Sequence, residues 1–412
     1  MKKIWKNYKQ TIALILSLII GAIIGIIMGE KAKVLSPFGD LFMNLLFVVI
    51  VPLIFLTITT SIAKIKQPKR LGKVMLSTFG IFIVTSLIAC LIGLAITYSI
   101  KLVNLKDSTA IISALNDNIE NSKEEISILS RTVQAISVND FKDILSKNSI
   151  VALVVISILT GIAINKSDKE GEKILSVLDS ANTVVLKLVD IIFLYAPIGL
   201  GCYFAALIGT FGGEIAIGYL KTFIIYTVGA ILFYFIFYTL YSYIAAGSKG
   251  VKAFWQNILP ATATSISTCS SAASIPANLK SAKGIGVPND IAETVIPLGT
   301  SFHKDGSVIG SVFKIMFLVY LFGINVYTPG AMFKVIGVAL IANLLITAVP
   351  VGGGTISEMM IISLMGFPLA SLPILTIIAT IIDPAATLLN VTGDSASSML
   401  VTRIVEGKNW LK

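Results

Sequence analysis

Four polar residues near the end of the chain have a spacing suited to binding a small charged molecule. Asp383, Thr387, Asn390 and Asp394 follow one another at intervals of four, three and four residues, so a helix would carry all four on one face. Their apolar surroundings predict a helix at membrane depth, where carboxylates are costly and usually functional. On such a face Asp383 can bind an ammonium group, Asn390 a carboxylate and Asp394 a cation. The alternative is a polar seam between packed helices.

A second cluster places three ionisable groups side by side inside an apolar run. His303, Lys304 and Asp305 lie between Ile291 and Phe322. Such a cluster indicates an ion site, or a lysine that takes the place of a bound ion. The alternative is an interfacial turn from which Lys304 reaches the headgroups. His303 is the one histidine of the chain, and it is either a proton carrier or a satisfied polar group.

Two segments rich in small or turn-forming residues accompany these clusters. Ser270 and Ser271 lie in a hydroxyl-rich stretch at 261–274, and residues 349–355 are rich in Pro and Gly. Non-helical backbone is tolerated at membrane depth only where it is buried or lines a wet cavity. Each segment is followed by an apolar run broken by an Asp-Gly or Gly-Asp element. This repeated order predicts a transporter built from inverted repeats.

The composition places these clusters in a membrane. Hydrophobic residues make up 55% of the 412 residues and charged residues 13%, against about 25% charged in soluble domains. A water-soluble enzyme is excluded, and no phosphate-binding loop or nucleophile elbow indicates ATP or covalent chemistry. The 32 Lys and Arg exceed the 22 Asp and Glu mostly in short loops, which favours a role in topology and headgroup contact over nucleic-acid binding.

Six apolar runs before residue 250 are long enough, or nearly so, to span a bilayer. They are Thr11–Met28, Phe38–Ala63, Val74–Ile100, Ile150–Ile164, Val184–Ile208 and Phe223–Ala246. Residues 101–147 are expected to form an extramembrane excursion, and Lys166, Lys169 and Lys173 a loop after the fourth run. Basic loops fall mostly on the side of the N-terminus, which predicts a multi-pass protein of the cell membrane with both termini in the cytoplasm.

These motifs resemble the glutamate and neutral amino acid transporters, the dicarboxylate/amino acid:cation symporters. Residues 390–394 match that family's NVTGD signature in its eighth helix. Residues 297–299 and 305–307 resemble its PLG…NMDGT stretch in the seventh helix. Residues 270–276 resemble the family's serine-rich first hairpin, and residues 351–354 resemble the tip of its second hairpin. Residues 85–86 resemble a pair in its third helix that helps hold sodium. The resemblance covers nearly the whole chain.

The resemblance implies an all-α polytopic membrane protein with eight transmembrane helices and two re-entrant helical hairpins, arranged as inverted repeats. It also implies a homotrimer and an elevator mechanism. Residues 1–100 would hold scaffold helices 1 and 2 and transport helix 3. Residues 101–250 would hold helices 4 and 5 of the trimer scaffold and transport helix 6. Residues 251–412 would form the transport core of both hairpins and helices 7 and 8.

The resemblance also implies two sets of binding residues. The substrate-binding set is Ser270, Ser271, Gly352, Gly353, Gly354, Asp383, Ala386, Thr387 and Asn390. The metal-binding set, for a coupling sodium ion, is Thr85, Ser86, Asp305, Asn390 and Asp394. Within the first set, Asp383 would bind the substrate amino group and Ser271 the substrate carboxylate.

Two departures from the family pattern bear on the substrate and the coupling ion. Ala386 lies where members for acidic amino acids carry Arg, and the first hairpin also lacks Arg. In the NMDGT stretch, His303, Lys304 and Ser307 replace Asn, Met and Thr. The Lys304 ammonium, or else His303, can therefore stand in for a sodium ion beside Asp305. The alternative is that Lys304 points away and sodium coupling persists.

We therefore expect a secondary active transporter, not an enzyme, for small neutral L-amino acids such as serine, threonine, alanine and cysteine. No cofactor is expected; sodium is a candidate coupling ion and the proton is its alternative. An acidic amino acid or dicarboxylate symporter, with Lys304 in place of the Arg, is an alternative. An ion-conducting channel is the alternative of another class. The expected partners are the substrate, membrane lipids and the other subunits of a homotrimer, without nucleic acid.

Overall fold

The computed structural model of the protein describes residues 2–64, 71–103, 138–146, 149–211, 213–344 and 353–411. Within these residues the secondary structure is helical, without strands. The helices of the first part are α1 (Lys2–Met28), α2 (Ser36–Ala63), α3 (Leu71–Ser99), α4 (Phe141–Ile144), α5 (Ile150–Lys166), α6 (Asp168–Phe211) and α7 (Gly213–Asn257). Those of the second part are α8 (Leu259–Thr268), α9 (Ser271–Ile285), α10 (Asn289–Phe302), α11 (Asp305–Leu321), α12 (Pro329–Leu344), α13 (Gly353–Met365) and α14 (Leu372–Glu406).

Five stretches of the described residues are long and apolar enough to cross a membrane, and the first of them, Ile12–Thr60, runs through most of α1 and α2. This confirms the expectation of an all-α membrane protein. The count of eight spans, the re-entrant character of the hairpins and the division at 1–100, 101–250 and 251–412 stay predictions.

One predicted loop is helical in the structure. Lys169 and Lys173 lie in α6, which begins at Asp168 and continues for 44 residues. Only Ser167 separates α5 from α6, and the acidic side chains of Asp168 and Glu170 suit the positive end of the helix dipole. Because 44 residues of helix measure about 66 Å and the hydrocarbon core about 30 Å, the charged first part of α6 extends beyond the bilayer.

The long helices of the first half pack through small residues. α1 and α2 lie against α6, and α2 also lies against α5. A methyl group at Gly21 of α1 would come within 2.3 Å of the backbone oxygen of Gly201, and one at Gly199 within 2.3 Å of Phe42. Close backbone approach at such residues is how helices associate where apolar surface alone gives little driving force.

The second group of helices surrounds α14. This helix packs against α3, α7, α13 and the four short helices α8 to α11. Its residues from Ala386 to Thr402 are all buried. The polar residues of α14 therefore meet side chains from several helices, and the predicted sites depend on which helices those are.

Candidate functional site

The site forms where the apolar run between Ile291 and Phe322 is interrupted by non-helical backbone. α10 ends at Phe302 and α11 begins at Asp305, so His303 and Lys304 have non-helical backbone. His303 is extended, with φ −119° and ψ 114°, and its side chain is fully buried. Lys304 is half-buried, and its carbonyl accepts the first hydrogen bond of α11 from the N–H of Val308 at 2.9 Å. The break therefore turns the His303 ring into the protein.

The His303 ring lies between two buried carboxylates. Its Nδ1 is 2.9 Å from Oδ1 of Asp394 on α14, and its Nε2 is 3.1 Å from Oδ1 of Asp305 on α11. Nε2 is also 2.8 Å from Oγ1 of Thr85 on α3. The Phe82 ring stacks on the imidazole, with centroids 4.5 Å apart and planes at 17°. One histidine thus joins α3, α11 and α14.

Both nitrogens of the His303 ring have partners in the protein. The Thr85 hydroxyl donates to the backbone oxygen of Ile81 at 3.0 Å, and its oxygen is also 2.8 Å from Nε2. The Asp394 carboxylate lies 2.9 Å from Nδ1. The imidazole ring of the protein itself therefore lies between the two carboxylates.

Glycine lets the helices approach closely enough for this cluster. A methyl group at Gly299 of α10 would lie 2.2 Å from Oδ1 of Asp394. One at Gly393, in the NVTGD motif, would lie 2.6 Å from the Tyr238 hydroxyl and 3.2 Å from Cε1 of His303. Since real Cβ atoms do not come so near, the two glycines are required for α14 to reach the ring.

Ser86 of the metal-binding set and the predicted cation surrogate Lys304 have other surroundings than the residues around the ring. Ser86, next to Thr85, has a buried hydroxyl without a hydrogen-bond partner among the described residues. Lys304 interacts electrostatically with Asp394. Of the two predicted cation surrogates, His303 is thus the one whose side chain contacts both carboxylates directly. Within the part of the chain that the structure describes, no group of three or more His, Cys, Asp and Glu side chains is arranged to hold a metal ion.

The four polar residues predicted on one face of α14 have three different sets of contacts. Thr387 Oγ1 donates to Oδ1 of Asp383 at 3.2 Å, and Asp383 is half-buried. Asn390 is bound to α11 at both ends of its amide: Oδ1 accepts from the Ser307 N–H at 3.1 Å, and Nδ2 donates to Ser307 Oγ at 3.0 Å. Asp394 contacts His303. The four residues therefore do not form one continuous ligand set.

The first predicted hairpin is present as α8 and α9, which pack together. Between them Cys269 has a left-handed backbone with φ 48°, and Ser270 caps α9 by accepting a hydrogen bond from the Ala273 N–H at 3.3 Å. Ser271 is the first residue of α9. The first N–H groups of a helix lack partners inside that helix, which makes this end suitable for a carboxylate.

The second hairpin is described in its two arms. α12 and α13 pack together, and Gly353 and Gly354 begin α13. Gly352 lies outside the described residues, with the rest of 345–352, so the prediction for this tip stays a prediction.

Sequence reasoning missed a buried ion pair near Asp383. Lys314 Nζ of α11 lies 3.4 Å from Oε1 of Glu358 on α13, and both side chains are nearly inaccessible. Thr376 of α14 donates to the other Glu358 oxygen at 2.9 Å. Lys314 also interacts electrostatically with Asp383. The signal was a lone lysine in an apolar helix, which is functional by default at membrane depth.

Comparison with known proteins agrees with this helical transporter. Residues 11–404 match the Sodium:dicarboxylate symporter family, and the chain belongs to it. The protein is therefore a symporter, a secondary transporter and not an enzyme.

Three relatives indicate the range of substrates in similar proteins. The L-cystine uptake protein TcyP of Bacillus licheniformis is 24% identical over 89% of this chain and 81% of its own length. The proton/sodium-glutamate symport protein of Geobacillus stearothermophilus is 25% identical over 98% and 95%. The C4-dicarboxylate transport protein of Bacillus subtilis is 26% identical over 97% and 94%.

Proposed function

We propose that this symporter carries small neutral L-amino acids, with serine, threonine, alanine and cysteine as its substrates. The observation that carries the proposal is the environment of Asp383. Its half-buried carboxylate accepts a hydrogen bond from Thr387 and forms no ion pair within the described residues. A carboxylate in this position can bind the ammonium group of an amino acid through a charge-assisted hydrogen bond.

The other end of the amino acid is assigned to the first hairpin. The capped N-terminus of α9, with Ser270 and Ser271, offers N–H groups and hydroxyls to the substrate carboxylate. The glycines at the start of α13, together with Gly352, line the substrate from the second hairpin. Thr387 and Asn390 complete the site from α14, with Asn390 acting through its hydrogen bonds to Ser307.

Ala386 supports a neutral substrate over an acidic one. A buried side-chain carboxylate without a cationic partner is strongly unfavourable, and Ala386 is buried and has no charge. The acidic alternative needs a cation close to Asp383. Lys314 interacts with Asp383 electrostatically, but its ammonium faces Glu358. The cystine relative supports substrates without net charge in similar proteins, because the two ammonium and two carboxylate groups of cystine balance. The glutamate and C4-dicarboxylate relatives support the acidic alternative, which the uptake experiment below includes.

The transport mode is part of the proposal. α1, α2, α5 and α6 form the scaffold of a homotrimer in the cell membrane, with both termini in the cytoplasm. α3 and α7 to α14 carry the substrate across it by an elevator movement. The packing of the first set around α6 and of the second set around α14 supports this division.

The test is uptake into proteoliposomes that contain the purified protein. The panel is serine, threonine, alanine, cysteine, cystine, glutamate, aspartate and succinate, with sodium and proton gradients applied separately. We expect saturable accumulation of the small neutral amino acids against their gradient. Preferred uptake of glutamate, aspartate or succinate would contradict the substrate class, and flux that only dissipates a gradient would indicate a channel.

A further inference from the structure

The Sodium:dicarboxylate symporter family, to which the chain belongs, has sodium in its name. Three oxygen atoms of the predicted metal-binding set lie around the His303 ring. Thr85 Oγ1, Asp305 Oδ1 and Asp394 Oδ1 all lie 2.8–3.1 Å from a ring nitrogen of His303. A hard cation of sodium's size needs oxygen ligands at about 2.3–2.6 Å around a shared centre. The imidazole fills the space where these oxygens converge, so the residues present do not fit a sodium ion there.

The contacts of the ring lead to the same result. Nδ1 lies within hydrogen-bond distance of Asp394 and Nε2 within hydrogen-bond distance of Thr85, with Asp305 also next to Nε2. Lys304 adds an electrostatic interaction with Asp394. The oxygens expected to bind sodium therefore already have partners that belong to the chain.

Packing holds the ring in this place. Phe82 stacks on the imidazole. The ring has no measurable exposure, and Gly393 lies against its Cε1 side, where a methyl group would come within 3.2 Å. The ring therefore has neighbours on its stacked face and along its edge.

We propose that the His303 imidazole ring takes the place of a sodium ion between Asp305 and Asp394, and that this chain binds no sodium at that position. The symporter's driving ion then binds elsewhere. This consequence for coupling rests on the transport function proposed above, whereas occupancy of the position by the ring does not. The experiments below use no substrate, so a wrong substrate assignment would leave their outcome unchanged.

The first experiment observes the ring itself. Because the chain has a single histidine, protein labelled with nitrogen-15 histidine and purified without a histidine tag gives the ring signals of His303 alone. In detergent at neutral pH we expect the nitrogen shifts of the ring to stay unchanged when choline chloride is replaced by sodium chloride. Ring signals that move saturably with sodium would overturn the proposal.

The second experiment opens the position. His303→Asn replaces the imidazole ring by a shorter side chain with an amide oxygen. This leaves an all-oxygen cluster of the kind that hard cations prefer. We expect the Tm of the wild type to be the same in sodium and choline chloride. The Tm of His303→Asn should be lower in choline and rise by several degrees, saturably, with sodium, because a ligand that binds only the folded state stabilises it.

A matched variant separates this effect from general salt effects. Glu293→Gln, on helix α10, which ends just before His303, removes an exposed pair with Lys283, and we expect its Tm to be insensitive to the choice of cation. If His303→Asn does not fold, His303→Gln offers the same amide oxygen, and the nitrogen-15 measurement on the wild type decides independently. A sodium-dependent Tm in the wild type, as steep as in the asparagine variant, would overturn the proposal.

Discussion

Two carboxylates on α14, Asp394 and Asp383, are about three helical turns apart and have different surroundings. Asp394 is 1% exposed and contacts the His303 ring. Asp383 is half-buried, and within the described residues its hydrogen bond comes from the neutral hydroxyl of Thr387. The first carboxylate has a histidine of the chain as its partner, whereas we propose that the second binds the ammonium group of the substrate.

The difference shows how one helix can use the same side chain for structure and for binding. The free energy lost when Asp394 is removed from water is offset by its contact with the His303 ring, provided that both partners stay in place. At Asp383 that offset comes only when a ligand arrives. The Lys314–Glu358 pair belongs to the first kind, because each charge faces the other inside the protein.

The largest effect is expected from Asp394→Asn. This change leaves the buried His303 ring without its closest carboxylate, and breaking a buried pair costs about 3–5 kcal/mol of stability. We expect a marked fall in the Tm measured in detergent, whereas Asp383→Asn should change the Tm little. Equal stability of Asp394→Asn and the wild type would show that the cluster contributes little to the fold.

The next effect concerns binding through Asp383. Asp383→Asn removes the charge that we propose binds the substrate ammonium, and a hydrogen bond to a charged group contributes about 1.5–3 kcal/mol, or about 10- to 150-fold in affinity. We expect serine binding, measured by isothermal titration calorimetry, to weaken by at least this factor. The trimer should still assemble on size exclusion, because no described pair in the protein depends on this charge.

A matched control defines what this loss means. Asp40→Asn neutralises an exposed carboxylate at the start of α2 and should leave serine affinity unchanged. If Asp383→Asn binds serine with wild-type affinity, Asp383 is not part of the substrate site. The contrast with Asp394 then no longer holds.

The sequence predicted that the polar residues of α14 matter, but not which side chain would meet Asp394. The expectation favoured Lys304, with His303 as the second surrogate. In extended backbone, adjacent side chains point to opposite sides, so only one of the two could face the carboxylates. Which one depends on where α10 ends, and helix ends are set by packing and local hydrogen bonds rather than by residue type alone.

The sequence also did not predict contacts between side chains that are far apart along the chain. Lys314 and Glu358 are 44 residues apart, and their meeting depends on how α13 folds back onto α11. The single face on α14 was predicted from its spacing, yet Asn390 is engaged by Ser307, which no spacing rule reveals. By contrast, the all-helical membrane fold followed from composition and apolar runs, because these properties depend on local sequence.

A smaller effect is expected where specificity is changed rather than removed. Ala386→Arg places a guanidinium one turn from Asp383, where it can pair with an acidic side chain of the substrate. We expect the ratio of aspartate to serine affinity to rise about tenfold, which corresponds to about 1.4 kcal/mol. Ala385→Arg, at the adjacent half-buried position, is the matched control and should leave the ratio unchanged. Tight aspartate binding by the wild type would contradict the premise.

The smallest effect tests the neutral partner of His303. Thr85→Val keeps the shape of the side chain but removes the oxygen that lies 2.8 Å from Nε2, and leaving a buried polar group without its hydrogen bond costs about 1–3 kcal/mol. Asp305, 3.1 Å from the same nitrogen, compensates in part, so we expect about 1 kcal/mol.

The matched control for this last change is Thr78→Val on the same helix. Thr78 is equally buried, and its hydroxyl bonds to the backbone oxygen of Val74 at 2.7 Å. The two variants lose the same kind of bond to their own helix, so any extra loss of stability in Thr85→Val reports the contact with the ring. The nitrogen-15 signals of His303 should move in Thr85→Val and stay in place in Thr78→Val. Equal losses of stability in the two variants, with unmoved nitrogen-15 signals, would show that Thr85 does not hold the ring. Asp305 and Asp394 alone would then keep the His303 ring in place.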